Sequence, residues 1–253
     1  MILNTFNLEG KVAMITGCNT GLGQGMALGL AQAGCDIIGV NRSSASETAQ
    51  KITATGRRFV SITADLSKSH CIESVMDQAL AACPQLDILV NNAGIIRRAD
   101  ALDFSERDWD DVMNVNSKTL FFLSQAVARQ FVRQGRGGKI INIASMLSYQ
   151  GGIRVPSYTA SKSAVMGLTR LMANEWAQYG INVNAIAPGY MATNNTEQLR
   201  DDEDRNQQIL DRIPAGRWGQ SEDMMGPVVF LASAAADYVN GYTLAVDGGW
   251  LAR

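Results

Sequence analysis

Tyr158 and Lys162 stand four residues apart, and Ser145 lies thirteen residues before the tyrosine. On a helix, positions i and i+4 share one face, so the phenol and the ammonium project side by side. A free phenol, with a pKa of about 10, is too weak an acid to shuttle protons at neutral pH. A neighbouring ammonium favours the phenolate and draws that pKa toward the working range. A serine hydroxyl beside the pair can hydrogen-bond the oxygen of an alcohol or carbonyl. The chemistry to expect is proton exchange at a carbon-bound oxygen. Chance delivers the Tyr–Lys spacing often, so its weight depends on the rest of the chain.

The supporting pattern lies near the N-terminus. Thr16-Gly17-Cys18-Asn19-Thr20-Gly21-Leu22-Gly23 follows an apolar run and precedes a helical one. Glycines let the backbone turn tightly and approach a pyrophosphate with no Cβ in the way. The helix N-terminus then offers free N–H groups and the positive end of its dipole. The spacing is Gly-x-x-x-Gly-x-Gly; the strict GxGxxG form fails because position 26 is Met. Between a buried strand and a helix, such a turn reads as a dinucleotide site.

These pieces must be held by a framework. Short apolar runs at 11–16, 36–41, 58–63, 87–90, 139–144, 182–186 and 243–246 read as strands. Helical patterns at 21–33, 45–54, 72–82, 106–134, 157–178 and 222–232 alternate with them. That alternation predicts one doubly wound α/β domain over 1–253, with a mostly parallel seven-stranded sheet covered on both faces. Residues 189–219 are the least regular stretch. Their acidic run, Asp201-Asp202-Glu203-Asp204, reads as a solvated helix face. A connection this long is expected to act as a lid.

Composition narrows the function. With 46% hydrophobic and 18% charged residues, the 253-residue chain can fill a large core, which excludes disorder. The balance of 22 basic against 24 acidic residues leaves no surplus to attract nucleic acid or an anionic membrane. No segment approaches the roughly 18 apolar residues of a membrane span, and residues 1–9 do not read as a signal peptide. Cys18, Cys35, Cys71 and Cys83 lack CxxC spacing and predict reduced thiols in a cytoplasmic protein. Cys18, inside the glycine turn, is expected to be accessible but inert. His70 is the only histidine, which excludes a multi-histidine metal site, and it reads as a surface residue at a helix start.

Together, the 16–23 turn, Asn91-Asn92-Ala93-Gly94, Asn116, Ser145, Tyr158-x-x-x-Lys162, and Pro188-Gly189 with Thr193 resemble the short-chain dehydrogenase/reductase family, in the family's order and from residue 11 to about 250. The resemblance implies a Rossmann-type domain binding NAD(H) or NADP(H). It implies a catalytic tetrad in which Tyr158 exchanges the proton and Ser145 orients the substrate oxygen. Lys162 would lower the phenol pKa and hold the nicotinamide ribose, and Asn116 would anchor a water relay. From the residues alone, Asn116 reads as a helix-interior amide bonded to backbone.

Implied cofactor contacts fall in groups. The glycine turn gives Gly17, Asn19, Thr20, Gly21, Leu22 and Gly23. The ends of the second and third strands give Asn41 and Arg42, then Ala64, Asp65 and Leu66. Asn92, Ala93 and Gly94 follow the fourth strand. Tyr158, Lys162, Pro188, Gly189, Met191 and Thr193 complete the set. Asp65 reads equally as a turn or cap residue. Members preferring NAD carry an acid after the second strand. Here Asn41-Arg42 stands instead, and an arginine suits a 2′-phosphate. NAD is the expectation from the closer resemblance described next, with NADP open.

Segments 91–98, 143–148, 151–158, 191–195 and 247–253 are similar to the family's bacterial members that act on 3-deoxy sugar acids. That likeness implies interconversion of 2,5-diketo-3-deoxygluconate and 2-keto-3-deoxygluconate in uronate breakdown. It also implies a homotetramer in which the apolar tail at 242–253 meets its neighbours. A sugar acid needs a cation for its carboxylate, and arginine grips one with two hydrogen bonds. Arg154 is the first candidate, with Arg97 or Arg98 behind it. Ser145, Gln150, Tyr190, Asn194 and Asn195 are candidates for other substrate contacts. Three rivals stay open: a Ser–Lys hydrolase, disfavoured because no GxSxG or SxxK surrounds Ser145; a nicotinamide-binding regulator; and a reductase of another polyol, keto acid or acyl group.

Overall fold

The computed structural model describes residues 1–253. Seven strands form one sheet: β1 (Val12–Thr16), β2 (Asp36–Asn41), β3 (Phe59–Thr63), β4 (Ile88–Asn91), β5 (Gly138–Ile143), β6 (Ile181–Pro188) and β7 (Thr243–Val246). Every pairing is parallel, in the order β3-β2-β1-β4-β5-β6-β7. Strands buried on both faces need apolar side chains in both directions, which is why β1 and β4 read as unbroken apolar runs.

Nine α-helices accompany the sheet: α1 (Gly21–Gln32), α2 (Ser46–Thr53), α3 (Ile72–Ala82), α4 (Glu106–Met113), α5 (Leu120–Gln134), α6 (Pro156–Trp176), α7 (Glu197–Asp201), α8 (Glu203–Arg212) and α9 (Met225–Ala232). Neighbouring residues of one strand feed opposite layers. Ile15 packs with Met26 and Leu30 of α1 and Val228 and Leu231 of α9. Met14 packs with Val75 of α3, Leu123, Val127 and Phe131 of α5, and Met172 of α6. The sheet grows one way from β1 to β3 and the other way from β4. The reversal leaves a crevice at the carboxyl ends of β1 and β4, where open α/β sheets bind ligands.

Two segments depart from the sequence reading. The helix expected over 106–134 is broken by a π-helical turn at Asn114–Thr119. A π turn inserts an extra residue into the helical repeat and often marks a functional position; Asn116 sits in it. The 189–219 stretch is not irregular. It carries α7 and α8, and the exposed acidic run between them also caps α8: the Asp202 side chain accepts from the Arg205 N–H at its start. Ile209 and Ile213 bury against Met146, Trp218 and Trp250.

Candidate active site

The crevice widens into a cleft of about 600 Å³. Every residue expected to contact a dinucleotide lines it, from the glycine turn and the 64–66 and 92–94 turns to Pro188, Gly189, Met191 and Thr193. The glycines answer steric demands. Gly17 has φ +65° with Ala93 close by, and a Cβ at Gly23 would collide with the Gly17 carbonyl and the Asn92 amide. Asn92 itself braces this turn, donating to the carbonyls of Thr16 (3.0 Å) and Gly17 (2.8 Å). No side chain caps the first turn of α1, so its N–H groups face the cleft unclaimed.

The end of β2 divides its labour. Asn41 is buried, and its amide oxygen accepts the Cys18 N–H at 2.7 Å, so it shapes the glycine turn from behind. Cys18 is itself fully buried, contrary to the accessibility expected of it, and burial pushes its thiol up to about 11. Its inertness follows from that burial. Arg42 is exposed at the cleft wall and has no hydrogen-bond or ion-pair partner within the protein. Asp65 lines the cleft and accepts the Ser67 N–H at 3.1 Å, a contact that together with the Ser67 side chain holds its carboxyl below the usual range.

Tyr158 and Lys162 sit on the first turns of α6, facing the same cleft as Ser145 at the end of β5. The Ser145 hydroxyl caps the short turn after it by accepting the Leu147 N–H at 3.1 Å, which fixes its position. Lys162 is buried, with no carboxylate partner, and burial lowers its pKa to about 8. Its ammonium donates to the Ile143 carbonyl. That acceptor is free because β4 ends at Asn91 and the Ala93 N–H goes to the Thr16 hydroxyl at 2.9 Å.

The electrostatics correct one expectation. The Tyr158 pKa is raised, not lowered, because burial outweighs the pull of the Ser145 hydroxyl and the Arg98 charge. Lys162 is not among the groups that lower it. Its nitrogen lies 5.6 Å from the ring centroid and is turned to the Ile143 carbonyl instead of the phenol oxygen. Asn116 does not reach the cleft. Its amide accepts the Ile95 N–H (2.9 Å) and donates to the Ile95 carbonyl (3.0 Å) and the Ser161 hydroxyl (3.1 Å). It ties the 94–96 turn to α6 from behind Lys162, with backbone bonds of the kind its residue type alone suggested.

A family model for short chain dehydrogenases matches residues 11–204. The chain belongs to the short-chain dehydrogenase family. A 2-dehydro-3-deoxy-D-gluconate 5-dehydrogenase from Dickeya dadantii is 72% identical over 253 residues, with both chains covered in full. A crystal structure from Agrobacterium tumefaciens with bound NADP is 58% identical, covers 99% of this chain and 100% of its own, and superposes with a TM-score of 0.94. A gluconate 5-dehydrogenase from Burkholderia cenocepacia, in complex with NADP and tartrate, is 40% identical over 100% of both chains with a TM-score of 0.94.

Within this short-chain dehydrogenase, the expected substrate residues divide. Ser145, Arg97, Asn194 and Asn195 line the cleft; Arg98, Arg154, Gln150 and Tyr190 do not. Arg154 pairs with Asp100 at 3.0 Å and adopts φ +64°, which directs it away. The Gln150 oxygen accepts from the Trp250 indole (3.2 Å) and Arg212 (3.4 Å). Tyr190 packs edge-on between Trp218 and Trp250. Arg97 is clamped by Asp108 and Asp111, each at 3.4 Å. Sequence reasoning missed Thr16, whose hydroxyl accepts the N–H of both Asn92 (3.0 Å) and Ala93 (2.9 Å) and so joins the two turns. It also missed Asp111, on α4, and Val115, in the π turn, both of which are in the lining.

Proposed function

We propose that this chain is an NAD(P)-dependent oxidoreductase that interconverts a ketone and a secondary alcohol on a small sugar acid. The pair we favour is 2,5-diketo-3-deoxygluconate and 2-keto-3-deoxygluconate, in uronate breakdown. The observation that carries this reading is the convergence of Tyr158, Ser145 and Lys162 on one wall of a cleft whose other end is a glycine turn and an uncapped helix N-terminus. Full-length identity to a dehydrogenase of that substrate supports the choice of pair.

The nicotinamide, when bound, supplies the hydride donor or acceptor. The protein's residues do the rest. The glycine turn and the N-terminus of α1 would take the pyrophosphate, where a Cβ at Gly23 would leave no room. The Ser145 hydroxyl would hold the substrate oxygen against Tyr158, whose phenol gives up its proton as a ketone is reduced and takes one back as an alcohol is oxidised. Lys162, fixed by Ile143, would hold the ribose hydroxyls. Asn116, behind it, would position the 94–96 turn and α6.

Arg42 bears on the cofactor. An unpaired guanidinium beside the adenosine end of the cleft suits a 2′-phosphate, so both cofactors are expected to work. Arg42→Ala should lower kcat/KM for NADPH by roughly 10- to 100-fold and change the NADH value by less than about 3-fold. Equal losses with both cofactors would remove that role.

We read 189–219 as a lid. Its two ends are stapled together, with the Ala192 N–H donating to Gly219 (2.8 Å) and the Gly219 N–H to Tyr190 (2.9 Å), while the turn at 193–196 lines the cleft. A homotetramer and a cytoplasmic location complete the proposal. Exposed Phe122 and Val132 on α5 and Leu171 on α6 support the first, and four unpaired thiols the second. The deciding assay follows absorbance at 340 nm with a panel of keto-sugar acids and both reduced cofactors. Turnover restricted to neutral ketones or acyl substrates would replace the sugar-acid reading.

A further inference from the structure

Four arginines come from the segments that flank the substrate end of the cleft, and of these only Arg97 is part of its lining. Arg97 is neutralised by Asp108 and Asp111, and Arg154 by Asp100. Arg200, on α7, donates to the Thr193 carbonyl at 3.2 Å from the far side of the lid turn. Arg98 differs from all three. It has no carboxylate partner, it is exposed, and its guanidinium donates to the carbonyl of Asn195, a residue of the cleft lining, at 2.9 Å. That bond joins residues 97 apart in sequence, linking the turn after β4 to the lid. A guanidinium carries five donors in a planar fork, so a bond to one carbonyl leaves most of them free. Its charge also reaches the Tyr158 phenol, helping to lower that pKa against burial.

An uncompensated cation close to the reacting hydroxyl invites an anion. The substrate class proposed above brings one, its carboxylate. We propose that Arg98 recognises the carboxylate of the sugar-acid substrate and, through its bond to the Asn195 carbonyl, couples that recognition to the seating of the 193–196 turn. The assignment rests on the sugar-acid reading and makes Arg98 the residue that separates sugar acids from neutral sugars. A neutral keto sugar can meet Tyr158 and Ser145 equally well but gives Arg98 nothing to grip.

The test uses the full-length enzyme with 5-ketogluconate and its neutral counterpart 5-ketofructose as probes. Arg98→Ala should raise KM for 5-ketogluconate by roughly 10- to 100-fold, the span expected for lost charge-assisted hydrogen bonds. The value of kcat/KM for 5-ketofructose should stay within about 3-fold. Arg98→Lys should recover part of the loss, since it keeps the charge but not the two-pronged grip. Arg154→Ala should leave the acid-to-neutral ratio unchanged. Sugar acid should slow chymotryptic cleavage after Leu199 in the wild type and not in Arg98→Ala. Should Ala unsettle the turn, Arg98→Gln keeps a donor for Asn195 without the charge, and the acid-selective loss must persist. Equal losses on both probes, or an acid-selective loss in Arg154→Ala and not in Arg98→Ala, overturn the assignment and leave the reaction standing. A wild type that reduces neutral ketones but no sugar acid removes the substrate reading itself, and Arg98's role with it.

Discussion

Tyr158→Phe is expected to cut kcat/KM by roughly 10²- to 10⁴-fold in both directions, the share that a positioned proton donor contributes. The substitution removes one oxygen. The Ser145 hydroxyl keeps its bond from the Leu147 N–H, so no buried partner is stranded and the melting temperature should hold. Binding of the reduced cofactor, read by fluorescence, should also hold, because the glycine turn and the α1 N-terminus are untouched. The pH profiles sharpen the case. Burial raises the Tyr158 pKa, so the phenol stays protonated at neutral pH and ketone reduction should be nearly flat there. Alcohol oxidation needs the phenolate and should climb as the solution becomes more alkaline. Arg98 and Ser145 oppose the upward shift, so Arg98→Ala should move the rise in oxidation to still higher pH. Full activity in the Phe variant, or identical profiles in the two directions, would show that another group carries the proton.

That prediction rests on residues whose positions were readable because they obey local rules. The i, i+4 spacing of Tyr158 and Lys162 needs only an unbroken helix, and α6 supplies it. The central strands were legible because burial on both faces forces continuous apolar runs, and β2 falls where such a run begins and ends. Local rules failed where tertiary contacts decide. Nothing between 106 and 134 announces the π turn, since its extra residue is stabilised by Asn116 reaching Ile95 and Ser161 in other elements. Asn41 reads as a cofactor contact because it ends a strand, and nothing local announces that its amide oxygen accepts the buried Cys18 N–H. Arg154 lies in the right loop, but its left-handed backbone and Asp100 turn it outward. The same blindness hid Arg98's distinction, because the ion pairs that neutralise its neighbours come from α4 and from Asp100. The 189–219 segment read as irregular because its helices are short and polar, and they are held by a small apolar cluster built with the C-terminal tail.

Lys162→Met should separate the cost of this site from its use. A buried ammonium with no counter-ion is expensive, which is why its pKa falls from 10.5 to about 8. The folded value lies below the unfolded one, so between about 8 and 10.5 the unfolded chain holds more protons. Stability therefore rises with pH through that window, and the full penalty stands below it. At about 1.36 kcal/mol per unit, the penalty is roughly 3 kcal/mol. Methionine removes it but leaves the Ile143 carbonyl without its donor, a loss of about 1–3 kcal/mol. The two nearly offset at pH 7, where the variant should melt at or slightly above the wild type. By pH 10 the wild type has shed most of its penalty and the variant still lacks the hydrogen bond, so the order should reverse. For a chain of this size each kcal/mol is worth about 2–4 °C, so the difference in melting temperature should swing by several degrees between the two conditions. Other tyrosines and cysteines titrate in both proteins and cancel in that difference. Turnover should be lost at every pH. Melting curves that stay parallel from pH 7 to 10 would mean that Lys162 is not a buried cation in the free enzyme, and the electrostatic account of this wall of the cleft would have to be rebuilt around a different charge.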